Sequence, residues 1–469
     1  MAWWSREPPT PKGFPVASPD ALRGELARRM AGVQRHRLLQ GFPMAPMMGP
    51  SRSGVVAPRA TDPRRPVILG VLPHTFCVPA IKGCGFCTFP HEANEASQMV
   101  PLALTIAREI AFRDPLLRNR PVRAVYFGGG TANLTSIPAL AVLVGALTGH
   151  RLHDAEVTLE GVPRFFSAEQ LDLLAGLGTV HLRISMGVQT FDEGWLQRMG
   201  RQHIGSPSQV EAAVALAGAR GAATSIDLLI NLPCQPVAAM LDDVRRAVAL
   251  GVDQICVYHL VLRDGLPVPW ASDPAMMAVL PSNEAAFDAW RAVRGALLEA
   301  GYTQSTLTNF ERAGARPFVY EPMSFAPHWC DALGFGPGAI TGVNFGGPER
   351  ALKWTNRATA TSYLGARLSR VELVYWYEPF EEALMQLTRG LALLRVPLGQ
   401  GPLAAHARVF APELAALQEA GLVVVDAAAV TLTERGMFYA DSVAGLLAWR
   451  SVTHRGAVGL NEPAELHMG

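Results

Sequence analysis

Three features that would restrict the function of this chain are scarce or missing. Six cysteines among 469 residues are too few for a disulfide scaffold, so we expect reduced thiols and a cytoplasmic protein. The chain has 41 basic and 40 acidic residues, so neither sign of charge prevails. This balance does not provide the excess positive charge that would indicate binding to nucleic acid or to an anionic membrane. Apolar runs such as LALTIAREIAF are too short or too interrupted to span a bilayer. We therefore expect a soluble protein whose partners include neither nucleic acid nor a membrane.

The central part of the chain alternates short apolar runs with longer segments of helical period. The strand candidates are PVILGVL, VRAVYFGG, AEVTLEG, HLRISMGVQ, TSIDLLINL and QICVYHLVL. The helix candidates between them are VPLALTIAREIAF, IPALAVLVGAL, SAEQLDLLAGLG, PSQVEAAVALAGARG and VAAMLDDVRRAVALG. Such a series of βα units predicts an α/β fold with a parallel sheet and right-handed crossovers, either an open barrel or a doubly wound sheet.

The two ends of the chain differ in texture from this centre. Residues 1–65 form an extension rich in Pro, Arg and Met, with one amphipathic helix candidate whose basic residues we interpret as a solvated face. The βα series occupies residues 66–310, and residues 311–378 close it. Residues 379–469 are mostly helical with a small hairpin, VVVDAAAVTLTERG, which predicts a separate winged-helix-like domain.

The stretch CVPAIKGCGFCTF contains half of the cysteines, at Cys77, Cys84 and Cys87. It follows the first strand of the series, at the sheet edge where parallel α/β folds bind ligands. A structural zinc site needs a fourth ligand, which His74 or His91 would supply. Three thiolates also suit a [4Fe–4S] cluster whose fourth iron takes an outside ligand. The residues alone leave both interpretations open.

Motifs downstream of the cysteines carry a resemblance to a known family. VYFGGGTANL follows the second strand, and it is succeeded in order by TLEGVP, RISMGVQTFDEGWLQRMGRQH, SIDLLINLPCQP, VYHLVLRDGLPV and DALGFGPGAITG. In order and spacing this series resembles the oxygen-independent coproporphyrinogen III oxidase-like radical S-adenosylmethionine (SAM) proteins. The resemblance covers roughly residues 66–447 and implies a partial (β/α)6 barrel with parallel strands.

The resemblance also implies cofactors and site residues. Cys77, Cys84 and Cys87 would hold a [4Fe–4S] cluster whose open iron chelates SAM, and a flavodoxin or ferredoxin would donate the electron. The resemblance implies two bound SAM molecules, as in the oxidases and the related class C methyltransferases. The residues that would contact SAM are Phe86, Gly129, Gly130, Thr131, Glu160, Gln189, Arg201, Asp227, His259 and Ile340.

Each of these residues also has an ordinary structural explanation. The glycines can form a tight turn, Glu160 can face a helix N-terminus, and Arg201 can form a surface salt bridge. Phe86, His259 and Ile340 can belong to the core. Asp227 lies inside an apolar strand, where an unpaired charge is costly, so a ligand contact is the better explanation there.

Four departures from the family pattern bear on the substrate. The cysteine spacing is C-x6-C-x2-C, whereas the family usually has C-x3-C-x2-C, and loop length alone changes closure cost slowly. Val71 replaces a tyrosine that is usual in the porphyrinogen oxidases, and Cys234 replaces a glycine. The sequence HWC, which contains Cys330, replaces the tyrosine–tryptophan pair expected of the haem chaperones. Either Cys234 or Cys330 could relay a methyl group or a proton. The altered spacing, the missing tyrosine and the N-terminal extension favour a tailoring enzyme with a small-molecule substrate, and HWC counts against a haem chaperone.

Three functions follow from the resemblance. The first is a class C-like methyltransferase, or a related C–C bond-forming enzyme, that uses two SAM molecules. The second is a porphyrinogen decarboxylase or haem-modifying enzyme, and the third is a haem-binding chaperone without catalysis. The sequence does not name the substrate.

Overall fold

A mixed sheet of 13 strands organises the computed structural model of this chain. The structure describes residues 15–34, 42–43, 47–51, 61–79, 81–178, 180–344, 351–366 and 370–457, with side chains to residue 454. Much of the N-terminal extension therefore lies outside the described residues.

The strands have the following bounds: β1 (Gly49–Pro50), β2 (Val67–Val71), β3 (Phe76–Cys77), β4 (Glu92–Ala93), β5 (Val122–Phe127), β6 (Ala155–Gly161), β7 (Val180–Gln189), β8 (Ala223–Ile230), β9 (Gln254–His259), β10 (Tyr302–Gln304), β11 (Asn309–Arg312), β12 (Asp331–Phe335), β13 (Ile340–Val343), β14 (Leu352–Asn356), β15 (Val371–Trp376), β16 (Arg395–Pro397), β17 (Val423–Val425) and β18 (Ala429–Leu432).

The α-helices have the following bounds: α1 (Pro19–Ala31), α2 (Met99–Phe112), α3 (Ile137–Leu147), α4 (Ala168–Ala175), α5 (Glu193–Arg198), α6 (Pro207–Gly218), α7 (Val237–Ala249), α8 (Pro274–Ala278), α9 (Asn283–Glu299), α10 (Tyr320–Ser324), α11 (Ala360–Gly365), α12 (Pro379–Gly390), α13 (Leu403–His406), α14 (Ala411–Glu419), α15 (Glu434–Phe438) and α16 (Ala440–Ala457).

The parallel part of the large sheet has the order β12-β2-β5-β6-β7-β8-β9. All six predicted strands are present in it, and the five predicted helices between them form α2, α3, α4, α6 and α7. The strands beyond β9 and β12 continue the sheet in antiparallel fashion. The expected α/β fold with parallel strands is therefore confirmed.

The two faces of the parallel strands differ in chemistry, because successive side chains point to opposite sides. One face packs under the helices in the main hydrophobic core, with Leu69, Val125, Val157, Ile226 and Val257 among its members. The other face carries a polar layer: Tyr126, Glu156, Thr158, Glu160, Arg183, Ser185, Ser225, Asp227, Gln254, Cys256 and Tyr258. The short helix α10 packs against this polar face beside β2 and β5.

A second hydrophobic core joins the two ends of the chain. It is formed by α12, α14, α16 and the sheet β16-β18-β17, and it includes Leu22 and Leu26 of α1. The predicted hairpin is β17–β18, and β16 adds a third strand to it. Arg23 and Arg28 of α1 are largely exposed and pair with acidic neighbours, as expected of a solvated face. Because α1 packs within this core, the predicted boundary at residue 65 stays a prediction.

Over the described residues, no helix has the length and the apolar character that crossing a bilayer requires.

Candidate cluster and cofactor site

The cysteine loop is held by a tight left-handed turn. Gly83, Cys84 and Gly85 have φ values of 57°, 52° and 84°, a conformation that glycine adopts freely and cysteine does not. The carbonyl oxygen of Gly83 accepts the backbone N–H of Phe86 at 3.0 Å and that of Cys87 at 2.7 Å. This turn presents Cys84 and Cys87 from one side of the loop, and Cys77 lies on the neighbouring strand β3.

The glycine turn after β5 packs directly against the strand that leads into Cys77. A methyl group on Gly130 would collide with the carbonyl oxygen of Phe76, so only glycine allows this approach. The N–H of Thr131 donates to the same carbonyl at 2.8 Å, and its Oγ1 lies 3.3 Å from the Sγ of Cys77. The predicted glycine motif and the first predicted cluster ligand are thus in contact.

The thiols of the loop are strongly desolvated. Burial raises the pKa of Cys77, and it raises the pKa of Cys87 to about 11, with the charges of the other two cysteines as smaller causes. Among the described residues, no three His, Cys, Asp or Glu side chains surround a point suited to a single ion. A [4Fe–4S] cluster binds its thiolates at different irons, so they need not converge on one atom.

The zinc alternative is weakened by the state of His74. Its Nδ1 accepts the N–H of Phe76 at 3.2 Å, and its Nε2 lies 3.2 Å from the Oγ1 of Thr135. Burial lowers the pKa of His74 to about 4, so the ring is neutral and both nitrogens are engaged. His91 packs against Gly83, and no described residue bonds its buried Nε2.

Two carboxyl groups of the polar face lie next to the glycine turn. Burial, then the charge of Asp227, raises the pKa of Glu160 to about 8, although Tyr126 and the N–H of Gly129 bond to it. Burial also raises the pKa of Asp227 to about 6, against a hydrogen bond from Cys256. Both side chains keep part of their surface accessible to water. We call this partly accessible region of the polar face, around Glu160 and Asp227, the recess.

Arg201 connects the cysteine loop to β7. Its guanidinium Nη1 donates to the Sγ of Cys84 at 3.5 Å, and Nη2 donates to the carbonyl oxygen of Gly187. Gln189 has a φ of 72° at an irregularity in the pairing of β7 with β8. A methyl group on Gly187 would lie 2.8 Å from the Nε2 of Gln189 and 3.7 Å from the Nη2 of Arg201. The two predicted SAM contacts therefore meet at Gly187.

Comparison with known proteins decides the family. No family model matches the chain. The heme chaperone HemW of Escherichia coli K12 is 30% identical over 316 residues, which are 64% of this chain and 78% of the chaperone. The chain belongs to the radical SAM family of oxygen-independent coproporphyrinogen III oxidase-like proteins. It is a radical SAM enzyme of the group that contains that oxidase and HemW.

Other relatives cover different shares of the chain. The anaerobilin synthase of Escherichia coli O157:H7 is 27% identical over 82% of this chain and 84% of its own length. A mitochondrial radical SAM domain-containing protein of Bos taurus is 31% identical, and the chain spans 57% of its length. The structure of coproporphyrinogen III oxidase from Escherichia coli covers 87% of this chain and 96% of its own, with a TM-score of 0.69 at 22% identity. That likeness confirms the radical SAM fold.

Radical SAM relatives use a [4Fe–4S] cluster and SAM, and the residues of this family member fit both groups. The three neighbouring thiols provide the donor set, and the raised pKa values of Cys77 and Cys87 make their free thiolates costly without a metal. Arg201 keeps a buried Nε that no described residue bonds, and no cationic side chain in the described part of the chain contacts Glu160 or Asp227 directly. A ligand with carboxylate and ammonium groups would satisfy these atoms.

An aromatic cover over the cysteine loop was not foreseen from the sequence. The ring of Phe86 lies 5.5 Å from that of Trp270, which in turn lies 5.7 Å from that of Trp195. A methyl group on Gly85 would collide with the indole of Trp270. Ile340, predicted to line an adenine pocket, lies on β13 with 52% of its surface exposed.

His259 lies on the helix-covered side of the sheet. Tyr258 belongs to the polar face, and the alternation of β9 turns the next side chain the other way. The Nδ1 of His259 lies 2.9 Å from the Nδ2 of Asn231, and its ring centroid lies 5.4 Å from that of Phe438. Its role toward a second SAM molecule stays a prediction.

Helix α10 contributes two further groups to the recess that sequence reasoning missed. The ring of Tyr320 lies 4.9 Å from that of Tyr126. Burial raises the pKa of Glu321 to about 7, and its Oε2 accepts the amide of Asn309 at 2.7 Å. A five-residue helix has too little periodicity to signal which face of a sheet it covers.

The two remaining candidate cysteines differ in environment. Cys234 is exposed and has a φ of 56°, at the position where the family has glycine. Cys330 is buried, donates to the carbonyl oxygen of Met323 at 2.9 Å, and has a pKa raised to about 12 by burial. The thiol of Cys330 is therefore largely protonated at neutral pH, and a relay role for either cysteine stays a prediction.

Proposed function

We propose that this chain holds a [4Fe–4S] cluster at Cys77, Cys84 and Cys87 and cleaves SAM reductively in the adjoining recess. The observation that carries the proposal is the pair of contacts that tie the cysteines to predicted SAM residues, Thr131 at Cys77 and Arg201 at Cys84. When bound, the cluster and SAM would supply a 5′-deoxyadenosyl radical by one-electron cleavage of the sulfonium.

The chain's own groups bind and orient SAM in this proposal. Arg201 offers its free N–H groups to the carboxylate of SAM. Glu160, with its pKa raised to about 8, is largely protonated at neutral pH without ligand. An ammonium or sulfonium group beside it favours the ionised form, so ligand binding releases a proton from Glu160. Asp227 contacts the ribose hydroxyls, and Phe86 packs near the adenine.

The finer reaction that we propose is methyl transfer or C–C bond formation with two SAM molecules. The altered cysteine spacing supports a tailoring role. Val71, where the porphyrinogen oxidases usually have tyrosine, is completely buried in the hydrophobic core and offers no hydroxyl group. In this reaction the hydrogen abstracted first comes from the methyl group of the second SAM.

The second candidate is oxidative decarboxylation of a porphyrinogen or modification of haem. It is favoured by relatives whose names refer to heme and to coproporphyrinogen. In that reaction the hydrogen is abstracted from the substrate itself, so the fate of the SAM methyl group separates the two candidates.

The deciding experiment uses CD3-SAM with the anaerobically reconstituted protein and a chemical reductant. We expect deuterium in the 5′-deoxyadenosine, read by mass spectrometry, because a methyltransferase takes hydrogen from the labelled methyl group. Cys84→Ala serves as the control and should form no 5′-deoxyadenosine. Unlabelled 5′-deoxyadenosine, formed together with product from a porphyrinogen, would overturn methyl transfer in favour of decarboxylation.

A haem chaperone is tested in parallel by adding haemin to the same preparation. A shifted Soret band without any SAM cleavage would contradict the enzymatic proposal, because HemW is the relative that meets this description by name.

A further inference from the structure

The guanidinium of Arg201 is fixed in place by the backbone of two elements. The backbone N–H of Arg201 donates to the carbonyl oxygen of Leu196 at 2.7 Å, and this bond fixes the main chain of Arg201 at the turn after α5. Nη2 donates to the carbonyl oxygen of Gly187 on β7. With only 5% of its surface exposed, the side chain has no alternative rotamer in solvent. Nη1 is thereby directed at the Sγ of Cys84, 3.5 Å away.

The charge of Arg201 is not neutralised by direct contact with an acid. No ion pair within the described part of the chain includes it, and its Nε is buried without a hydrogen-bond partner. Its field nevertheless reaches the site, since it lowers the pKa of Cys77 and of Asp227 as a minor contribution beside burial. A desolvated cation therefore faces the predicted cluster ligands at close range.

We propose that Arg201 donates a charge-assisted hydrogen bond to the ligating sulfur of Cys84 and thereby raises the reduction potential of the cluster. This inference rests on the proposed function. Reduction adds one negative charge to the cluster, so a fixed cation and an N–H···S bond favour the reduced state. The electron comes from an external chemical reductant or from the physiological donor, and no proton transfer is required.

This role is compatible with recognition of SAM. A guanidinium has five N–H donors, of which one serves Cys84 and another serves Gly187. Nε and the remaining N–H groups are free for a carboxylate. Arg201 would then respond to both groups: a carboxylate that binds it withdraws part of its charge from the cysteine sulfur. We therefore expect its influence on the potential to be greatest in the SAM-free protein.

The test compares Arg201→Gln and Arg201→Lys with Arg198→Gln as the matched control. Arg198 lies three residues earlier and is exposed, with its guanidinium 4.9 Å from the ring centroid of Trp195. The control thus removes the same charge nearby without touching Cys84. Each protein is reconstituted anaerobically, its iron and sulfide are counted, and the reduced cluster is followed by EPR at set potentials without SAM.

We expect Arg201→Gln to lower the ratio of reduced to oxidised cluster at a fixed potential about tenfold, which is 59 mV for one electron. Arg198→Gln should leave the ratio unchanged, and Arg201→Lys should fall between the two because it keeps the charge without the planar fork. Resonance Raman should show a changed Fe–S(Cys) stretching frequency in both Arg201 variants only.

Failure of this inference is distinct from failure of the proposed function. If the wild-type protein forms no cluster, the proposed function is wrong. If it forms one and Arg201→Gln shifts the ratio no more than Arg198→Gln, tuning is overturned while the cluster stands. Should Arg201→Gln fail to hold a cluster, Arg201→Lys decides: an unchanged potential and Fe–S frequency would contradict the proposal.

Discussion

The two edges of the parallel sheet treat buried carboxylates in opposite ways. At the amino-terminal edge, Asp331 accepts Arg65 at 2.8 Å and Arg120 at 2.7 Å, and it also accepts the N–H of Asn344 at 3.0 Å. At the carboxyl-terminal edge, the described hydrogen-bond partners of Glu160 and Asp227 are all neutral, and the pKa of each carboxyl group is raised.

Location in the sheet does not by itself decide between these states. Glu109 on α2 reaches the turn after β12, near the carboxyl-terminal edge, and is nevertheless completely paired. It accepts the N–H of Gly336 at 3.0 Å, the hydroxyl of Tyr363 at 2.6 Å and the amide of Asn356 at 2.9 Å, and it pairs with Arg113 at 2.9 Å. Its bonds fasten the turn that precedes β13.

The carboxylates differ in the source of the opposite charge that balances each of them. A buried carboxylate whose partners are arginines of the same chain contributes to the fold, and removing one member leaves an uncompensated charge. A buried carboxylate without such a partner reduces stability unless a ligand supplies the missing charge. At the amino-terminal edge, the chain itself therefore balances the charge of the buried carboxylate. In the recess, a cationic ligand would supply that balance.

The largest effect at the recess edge is expected from Cys84→Ala. Loss of one of three thiolate ligands should abolish the cluster, whereas wild-type protein should carry about four irons and four sulfides. Iron and sulfide analysis after anaerobic reconstitution measures this. Cys234→Ala is the control and should keep the full cluster, because Cys234 is exposed and not among the predicted ligands. A full cluster in Cys84→Ala would show that the ligands are misassigned.

At the opposite edge, Asp331→Ala should lower the free energy of unfolding by about 3–5 kcal/mol, because Arg65 and Arg120 lose their common partner. Asp227→Asn should instead leave the apo-protein as stable or more stable, since it removes a desolvated charge without a cationic partner in direct contact. Its SAM affinity should fall by an amount equivalent to about 1.5–3 kcal/mol, because the ribose hydroxyls lose a charged hydrogen-bond acceptor.

Chemical denaturation of the cluster-free proteins and SAM binding to the reconstituted ones measure these two effects. If Asp227→Asn destabilised the protein as much as Asp331→Ala, the carboxylates at both edges would contribute equally to the fold, which contradicts the proposed difference.

The strands and crossover helices could be predicted because their signal is local. Apolar runs of strand length, bounded by helical periods, located β2, β5, β6, β7, β8 and β9 to within a few residues. The antiparallel strands β13–β15 were not anticipated. They pair in chain order, β13 with β14 and β14 with β15, but polar residues interrupt their short apolar runs, so the pattern did not stand out in the sequence.

The site residues were predicted through resemblance, and their contacts were not predicted. Arg201 meets Cys84 across 117 positions of sequence, because the turn after α5 folds back over the cysteine loop. Trp270 covers Gly85 from a loop that follows β9, and Glu321 enters the recess from the five-residue α10. Such contacts follow from tertiary packing, which periodicity does not encode.

The smallest expected effect that distinguishes the carboxyl groups at the two edges of the sheet is the dependence of apo-protein stability on pH. Glu160 and Glu321 have folded-state pKa values of about 8 and about 7, above the value of 4.5 for a free glutamate. A carboxyl group with a raised pKa stabilises the folded state below its unfolded pKa, and that contribution is lost as pH rises through the folded pKa. Ionisation of Glu160 alone should therefore lower the free energy of unfolding by about 2 kcal/mol between pH 6.5 and 8.5, at up to about 1.4 kcal/mol per pH unit. Lys353, whose pKa burial lowers to about 7, acts in the opposite direction, so the effect is read as the difference between the wild-type and Glu160→Gln proteins.

Urea unfolding of the cluster-free protein at a series of pH values measures this slope. Glu160→Gln should remove the contribution of Glu160, because an amide carries no charge at any of these pH values, and Asp172→Asn, at an exposed surface pair, should leave the profile as in the wild type. Equal changes in the wild-type and Glu160→Gln proteins would mean that Glu160 already has a compensating cation in the free chain. The recess would then be as complete as the edge around Asp331, and the contrast between the two edges would not indicate where a ligand binds.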